Sequence, residues 1–286
     1  MFKKISTLLL SVLVIVSVTL YFSTLALAEK KQEGEQFGQT KGEATPQKGE
    51  AGPLKENICK NPKLCDSIEI DLLNSLSQAK VPVLLPETQA AKTDKDYQAA
   101  INMGAAVADA LASIAKKDKD TFLKNVSQAQ EFGKQLGVSE KVMGKYKDIT
   151  AAAEKKQWDK LGMLLYEFKD GMINELNESN KKPLASLAMM SGGVEGFYIT
   201  AKSVNGKFTP KCAELLKSPD LVTYIKTYME DLTPELKDQS GIKAFSGSVP
   251  ELEKTLSGLQ AQKCSQTDVK KIFDLAQSMR KDLLGS

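Results

Sequence analysis

The sequence predicts an all-α fold. Three observations carry this reading. From about Cys59 onward, apolar residues recur at steps of three and four. No segment sustains the apolar–polar alternation of a half-buried strand. Helix-start signals, Ser218-Pro219-Asp220 and Thr233-Pro234-Glu235, fall where new stripes begin. The expected architecture is a compact multi-helix bundle of about nine or ten helices over residues 58–286. That span allows one core or two adjoining helical lobes, with a break at Asn177–Pro183 or Val204–Thr209.

The elements follow in order. Asp66 or Ser67 can cap a first helix bearing Ile68, Leu72, Leu73 and Leu76. Pro82 and Pro86 end it, because proline lacks the amide donor and clashes with the preceding turn. A second helix spans about Asp94 to Lys117, and many of its apolar positions, Gly104 and Ala108 among them, are small enough for a neighbour to approach closely. The next runs from Asp120 to Leu136, with Phe122, Val126, Ala129 and Phe132 on one stripe and Gly137 as its stop. Ser139 can cap a shorter helix carrying Val142, Met143, Tyr146 and Ile149.

The clearest stripe is Trp158, Leu161, Leu165, Phe168, Met172 and Leu176. Pro183 suits the first turn of the helix after it. Ser218-Pro219-Asp220 opens a face of Leu221, Tyr224, Ile225, Tyr228 and Leu232. Ser248 to Gln262 carries Leu252, Leu256 and Leu259, and the last helix presents Val269, Ile272, Phe273, Ala276, Met279 and Leu283. Phe122 and Trp158, and likewise Phe132 and Phe168, repeat with one spacing, but no third copy follows, so antiparallel packing is expected rather than a solenoid.

Residues 1–28 have the anatomy of a secretory signal peptide: Lys3 and Lys4, an uncharged run from Ile5 to Ala28, and Ala26-Leu27-Ala28 before Glu29. The expectation is export, most simply to the periplasm. The alternative is an inner-membrane anchor through residues 5–28, since about 20 apolar residues suffice to span a bilayer. Residues 29–57 are rich in Glu, Lys, Gln and Gly, with Phe37 the one aromatic, and read as a flexible polar linker.

Beyond residue 28 the chain has 37 basic and 36 acidic residues, and Arg280 is the single arginine. Near neutrality and the scarcity of guanidinium forks argue against nucleic acid as a partner. With no histidine in the chain, Ser-His-Asp and Cys-His catalysis is excluded, as are Glu-x-x-His metal sites. Most Asp and Glu sit beside lysines, as on solvated helix faces. No catalytic residue, metal ligand or cofactor is expected.

Four cysteines, Cys59, Cys65, Cys212 and Cys264, read as two disulfides in an oxidising compartment. The favoured pairing is Cys59–Cys65 with Cys212–Cys264, stabilising by about 2.4 and about 4 kcal/mol in a chain-entropy account. Gly192, Gly193 and Gly196 lie inside a helical stretch, where each glycine costs about 1 kcal/mol relative to alanine. Close helix packing is the expected compensation, and a hinge or a ligand beside the backbone is the alternative. Met163, Met172, Met189 and Met190 read as core filler, with an adaptable pocket or copper binding as the alternatives.

These readings converge on an exported, non-enzymatic helical protein of the periplasm or cell envelope. Its expected partner is a protein or envelope component. The alternative is a carrier holding an apolar small molecule between helices, for which an internal cavity near Gly192–Tyr198 would be the signature.

Overall fold

The two helices richest in small and apolar residues lie against each other at the centre of the molecule. The computed structural model describes residues 68–87, 92–260 and 263–285. The expected signal segment, the linker and residues 58–67, with the Asp66/Ser67 cap, lie outside the described residues. Among the described residues the structure is helical, with no strand. The helices are α1 (Ile68–Gln78), α2 (Asp96–Lys116), α3 (Lys119–Gln135), α4 (Glu140–Met143), α5 (Tyr146–Glu154) and α6 (Trp158–Glu178). There follow α7 (Lys182–Gly206), α8 (Pro210–Ala213), a 3-10 turn (Glu214–Leu216), α9 (Pro219–Glu230), α10 (Pro234–Lys237), α11 (Ser240–Gln260) and α12 (Gln266–Leu284).

The central helix is α7, which packs against α1, α2, α6, α9 and α12. Its buried residues run around the helix rather than along one stripe, as a helix enclosed on all sides requires. Against it, α2 approaches until its backbone nearly touches. A Cβ on Gly104 would lie 1.9 Å from the Ala188 carbonyl oxygen and 2.3 Å from Ser191 Oγ. In the space a side chain would take, Ser191 Oγ donates to the Ile101 carbonyl at 2.7 Å. The small residues of this helix thus do what the sequence suggested. By length and composition α2 could cross a membrane, but 89% of its apolar window is buried in the protein, which makes it a core helix.

One connected cluster of buried side chains draws on helices from α1 to α12. The described residues share this one core, so of the two arrangements considered it is the single core that forms among them. Helix ends follow their local chemistry. Asp118 accepts from the Thr121 amide at 3.1 Å, and Ser265 with Asp268 makes a reciprocal capping box. After α1, residues 81–86 pass the end of α7 without regular secondary structure, and there Ser203 Oγ accepts from the Leu84 amide and Lys202 Nζ donates to the Leu85 carbonyl.

Two local expectations are corrected. Ser139 does not cap α4; its hydroxyl and amide both donate to Glu175 on α6, tying the turn to that helix instead. And α11 begins at Ser240 rather than Ser248, running straight through Pro250. A proline there costs about 3 kcal/mol. Ile242, Phe245, Val249, Leu252, Leu256 and Leu259 form one buried stripe across it, and that packing outweighs the lost hydrogen bond.

Candidate functional site

Three helices leave a space between them. On α6, Tyr166, Lys169, Asp170, Ile173 and Asn177 share one face; on α7, Lys182, Ala185, Ser186 and Met189 do the same. Tyr228 of α9 and Asp231 just beyond it complete the wall of a cavity of about 240 Å³. Its floor is apolar and aromatic, built from Tyr166, Ile173, Ala185, Met189 and Tyr228. Its rim is polar and open to water through the exposed Asp170, Asn177 and Lys182.

The rim is fixed by Asp231, which accepts from Lys182 Nζ at 2.6 Å and from Ser186 Oγ at 2.9 Å. The lysine bond, helped by the serine, holds the Asp231 carboxyl below its ordinary range. Behind the floor, the rings of Tyr224 and Tyr228 meet edge to face at 4.8 Å, and the Tyr224 hydroxyl donates to the Met189 carbonyl at 2.8 Å. Burial, reinforced by the negative charge of Glu69, pushes both phenols up.

Lys169 is the anomalous member. It is 7% exposed, and its ammonium makes no hydrogen bond. Glu69 Oε1 of α1 stands 3.7 Å away, an ion pair beyond hydrogen-bond reach, and the Tyr166 ring centroid is 4.9 Å off. A buried ammonium is ordinarily both paired and hydrogen-bonded. Here the charge is balanced while the donors are unspent.

The glycine segment explains how Glu69 comes to be there. A Cβ on Gly192 would lie 2.8 Å from Glu69 Oε1, and one on Gly196 would lie 3.4 Å from the Cα, Cβ and Cγ of the same residue. A Cβ on Gly193 would lie 2.6 Å from Tyr224 Cε1. At all three glycines a neighbour stands where a side chain would be, and what they admit is Glu69 and Tyr224. None of residues 192–198 lines this cavity, so it lies elsewhere than the internal cavity expected near Gly192–Tyr198. Of the four methionines considered, Met189 lines it, while Met172 and Met190 are fully buried core.

A second buried charged group crosses the core at Glu195, between the glycines. Arg280 Nε donates to both oxygens of Glu195, at 2.9 and 2.8 Å, and the guanidinium lies 5.1 Å from the Tyr198 ring centroid. Asp109 of α2 shares a hydrogen bond with Glu195, and its Oδ1 has no partner. Burial, and then the Glu195 charge, raise the Asp109 carboxyl well above the carboxylate range; burial raises Glu195 as well, against the pull of Arg280. Since Glu195 holds the guanidinium, the upward shift falls more heavily on Asp109.

A smaller cavity of about 130 Å³ lies beside Leu73, Ile114 and Trp158. Cys264 is buried with a free thiol, which burial pushes up, so the expected Cys212–Cys264 bridge is not formed in this structure. Cys59, Cys65 and the side chain of Cys212 lie outside the described residues.

Sequence reasoning did not single out Lys169, Asp109 or Glu195, and it noted Arg280 only as the single arginine. The available signal was a charge on an apolar stripe: Lys169 is four residues from Leu165 and three from Met172, and Arg280 is four from Ala276 and three from Leu283. No family model, curated protein or solved structure matches this chain.

Proposed function

We propose that this protein is an exported, non-enzymatic binding protein of the periplasm or cell envelope, and that it carries a small, mainly apolar molecule in the cavity between α6, α7 and α9. The observation that carries the reading is the cavity itself: an apolar and aromatic floor under a polar rim, the common construction of a small-molecule site. Its volume of about 240 Å³ exceeds the ~150 Å³ at which an apolar cavity already binds benzene. Among the described residues Leu84 is the one large apolar side chain that is exposed. Export rests on residues 1–28 as read from the sequence.

Native mass spectrometry of the protein purified from the exporting compartment tests this. The expected result is a reproducible excess mass that is lost on denaturation. A bare chain mass under conditions that preserve other known complexes would contradict the carrier reading. Export also implies an oxidising compartment, where closure of Cys59–Cys65 and Cys212–Cys264 belongs to the same proposal. Non-reducing peptide mapping should recover both cross-linked peptides, and free thiols at all four positions would rule the pairing out.

A further inference from the structure

We infer that the molecule bound in this cavity is uncharged and mainly apolar, with one oxygen acceptor, a carbonyl or hydroxyl, that Lys169 recognises. The inference rests on the binding reading above and narrows it to a ligand class.

At the Lys169 ammonium, charge balance and hydrogen bonding are separate. Glu69 already balances the charge of Lys169 at 3.7 Å. Neither that carboxylate nor the Tyr166 ring gives the ammonium a hydrogen bond. What is missing at Lys169 is an acceptor and not a negative charge. Lys169 forms part of the cavity wall with its ammonium sealed beneath the surface, so reaching an occupant takes a rotation of its flexible four-carbon stem.

The remaining charges select against an anion. Lys169 and Lys182 on the wall are matched by Asp170 and Asp231, and Glu69 stands behind them. A carboxylate ligand would add a further negative charge to a group that already carries an excess of one. Removing its hydration would go uncompensated, because both lysines are engaged, Lys182 with Asp231 and Lys169 with Glu69. A neutral oxygen meets the unspent donors without that penalty. The rest of the ligand faces Tyr166, Ile173, Ala185, Met189 and Tyr228, which suits a single ring or a short branched chain.

The test is titration calorimetry of the purified protein with three probes of similar size: acetophenone, ethylbenzene and benzoate. Acetophenone should bind at least about tenfold more tightly than ethylbenzene, the value of one hydrogen bond from a charged donor. Benzoate should bind more weakly than acetophenone. In the double variant Glu69→Gln/Lys169→Met, which removes both charges together so that neither is left buried alone, the acetophenone preference should fall to within about twofold while ethylbenzene binding persists. Equal binding of acetophenone and ethylbenzene to the native protein would overturn the role of Lys169 and leave the cavity reading standing. Tightest binding by benzoate would overturn the neutral-ligand assignment. Binding of none of the three would sink the carrier reading itself. The ranking on native protein decides the matter even if the double variant does not fold.

Discussion

Glu195 and Arg280, 85 residues apart in the chain, meet inside the core through bonds of 2.8 and 2.9 Å. The contact joins the glycine segment of α7 to the single arginine of the sequence. Glu195 is 1% exposed and Arg280 5%. A pair desolvated this far gives little net stability when intact, but breaking it leaves one charge stranded. Arg280→Met should therefore destabilise the fold by about 3–5 kcal/mol in urea unfolding. Arg280→Lys should recover only part of that, because an ammonium is held differently from a planar guanidinium. A loss under about 1 kcal/mol in Arg280→Met would show that Glu195 finds another partner or takes up a proton.

Asp109 makes the same cluster sensitive to pH. Its folded carboxyl is raised well above 3.8 by burial and by Glu195, with Arg280 and Lys202 opposing. The sign follows from the protons bound in each state. Above 3.8 the unfolded chain releases this proton while the folded chain keeps it, so the contribution to stability is full below that pH and declines as pH rises toward the folded value. Glu195 is shifted in the same direction. The half-buried Asp231 and Asp268 have lowered carboxyls and act with the opposite sign in acid, so the variant comparison is needed to isolate the cluster. Asp109→Asn keeps a donor toward Glu195 and removes the titration. Unfolding free energies between pH 5 and pH 8, both above 3.8, should fall more steeply with pH in the native protein than in Asp109→Asn. Parallel slopes would contradict the buried proton.

The helical stripes were legible because burial repeats at the helical period. Trp158 to Leu176 and Val269 to Leu283 were both readable as faces before the structure, and Pro183, Pro219 and Pro234 marked helix starts correctly. The glycines were readable as close packing, but the identity of the neighbour was not, because Glu69 is more than 120 positions away in the chain. The cavity was not legible at all. It is a space between three helices, and only their relative placement creates it. The start of α11 was misread because the stripe of Leu252, Leu256 and Leu259 was followed back only to Ser248, whereas Ile242 and Phe245 continue it beyond Pro250.

Two glycine variants separate packing from propensity. Gly104→Ala would drive a Cβ to 1.9 Å from the Ala188 carbonyl oxygen, a backbone atom that only movement of α7 can relieve. It should cost at least about 2 kcal/mol and displace the Ser191 hydroxyl from its bond to Ile101. Gly258→Ala on α11 has nothing within 4 Å and should stabilise by up to about 1 kcal/mol through helix propensity. Circular-dichroism melts of the pair would contradict the account if both shifted in the same direction.

The rim of the cavity should contribute little to stability. Lys182 and Asp231 pair at 2.6 Å, with side chains 65% and 24% exposed. Lys182→Met leaves Asp231 bonded to Ser186 and should change unfolding free energy by less than about 1 kcal/mol. A larger loss would mean that the rim is part of the core and not the mouth of a site.

The most direct measurement is methyl NMR of the protein labelled at isoleucine and methionine, titrated with ethylbenzene. The methyls of Ile173 and Met189, which face the cavity, should shift and saturate together. Those of Ile149 and Met279, buried in the core outside the cavity lining, should stay within the spread of a solvent control. Saturable shifts confined to the first pair would place the ligand where the account puts it. Unmoved Ile173 and Met189, or shifts spread evenly over all four methyls, would contradict it.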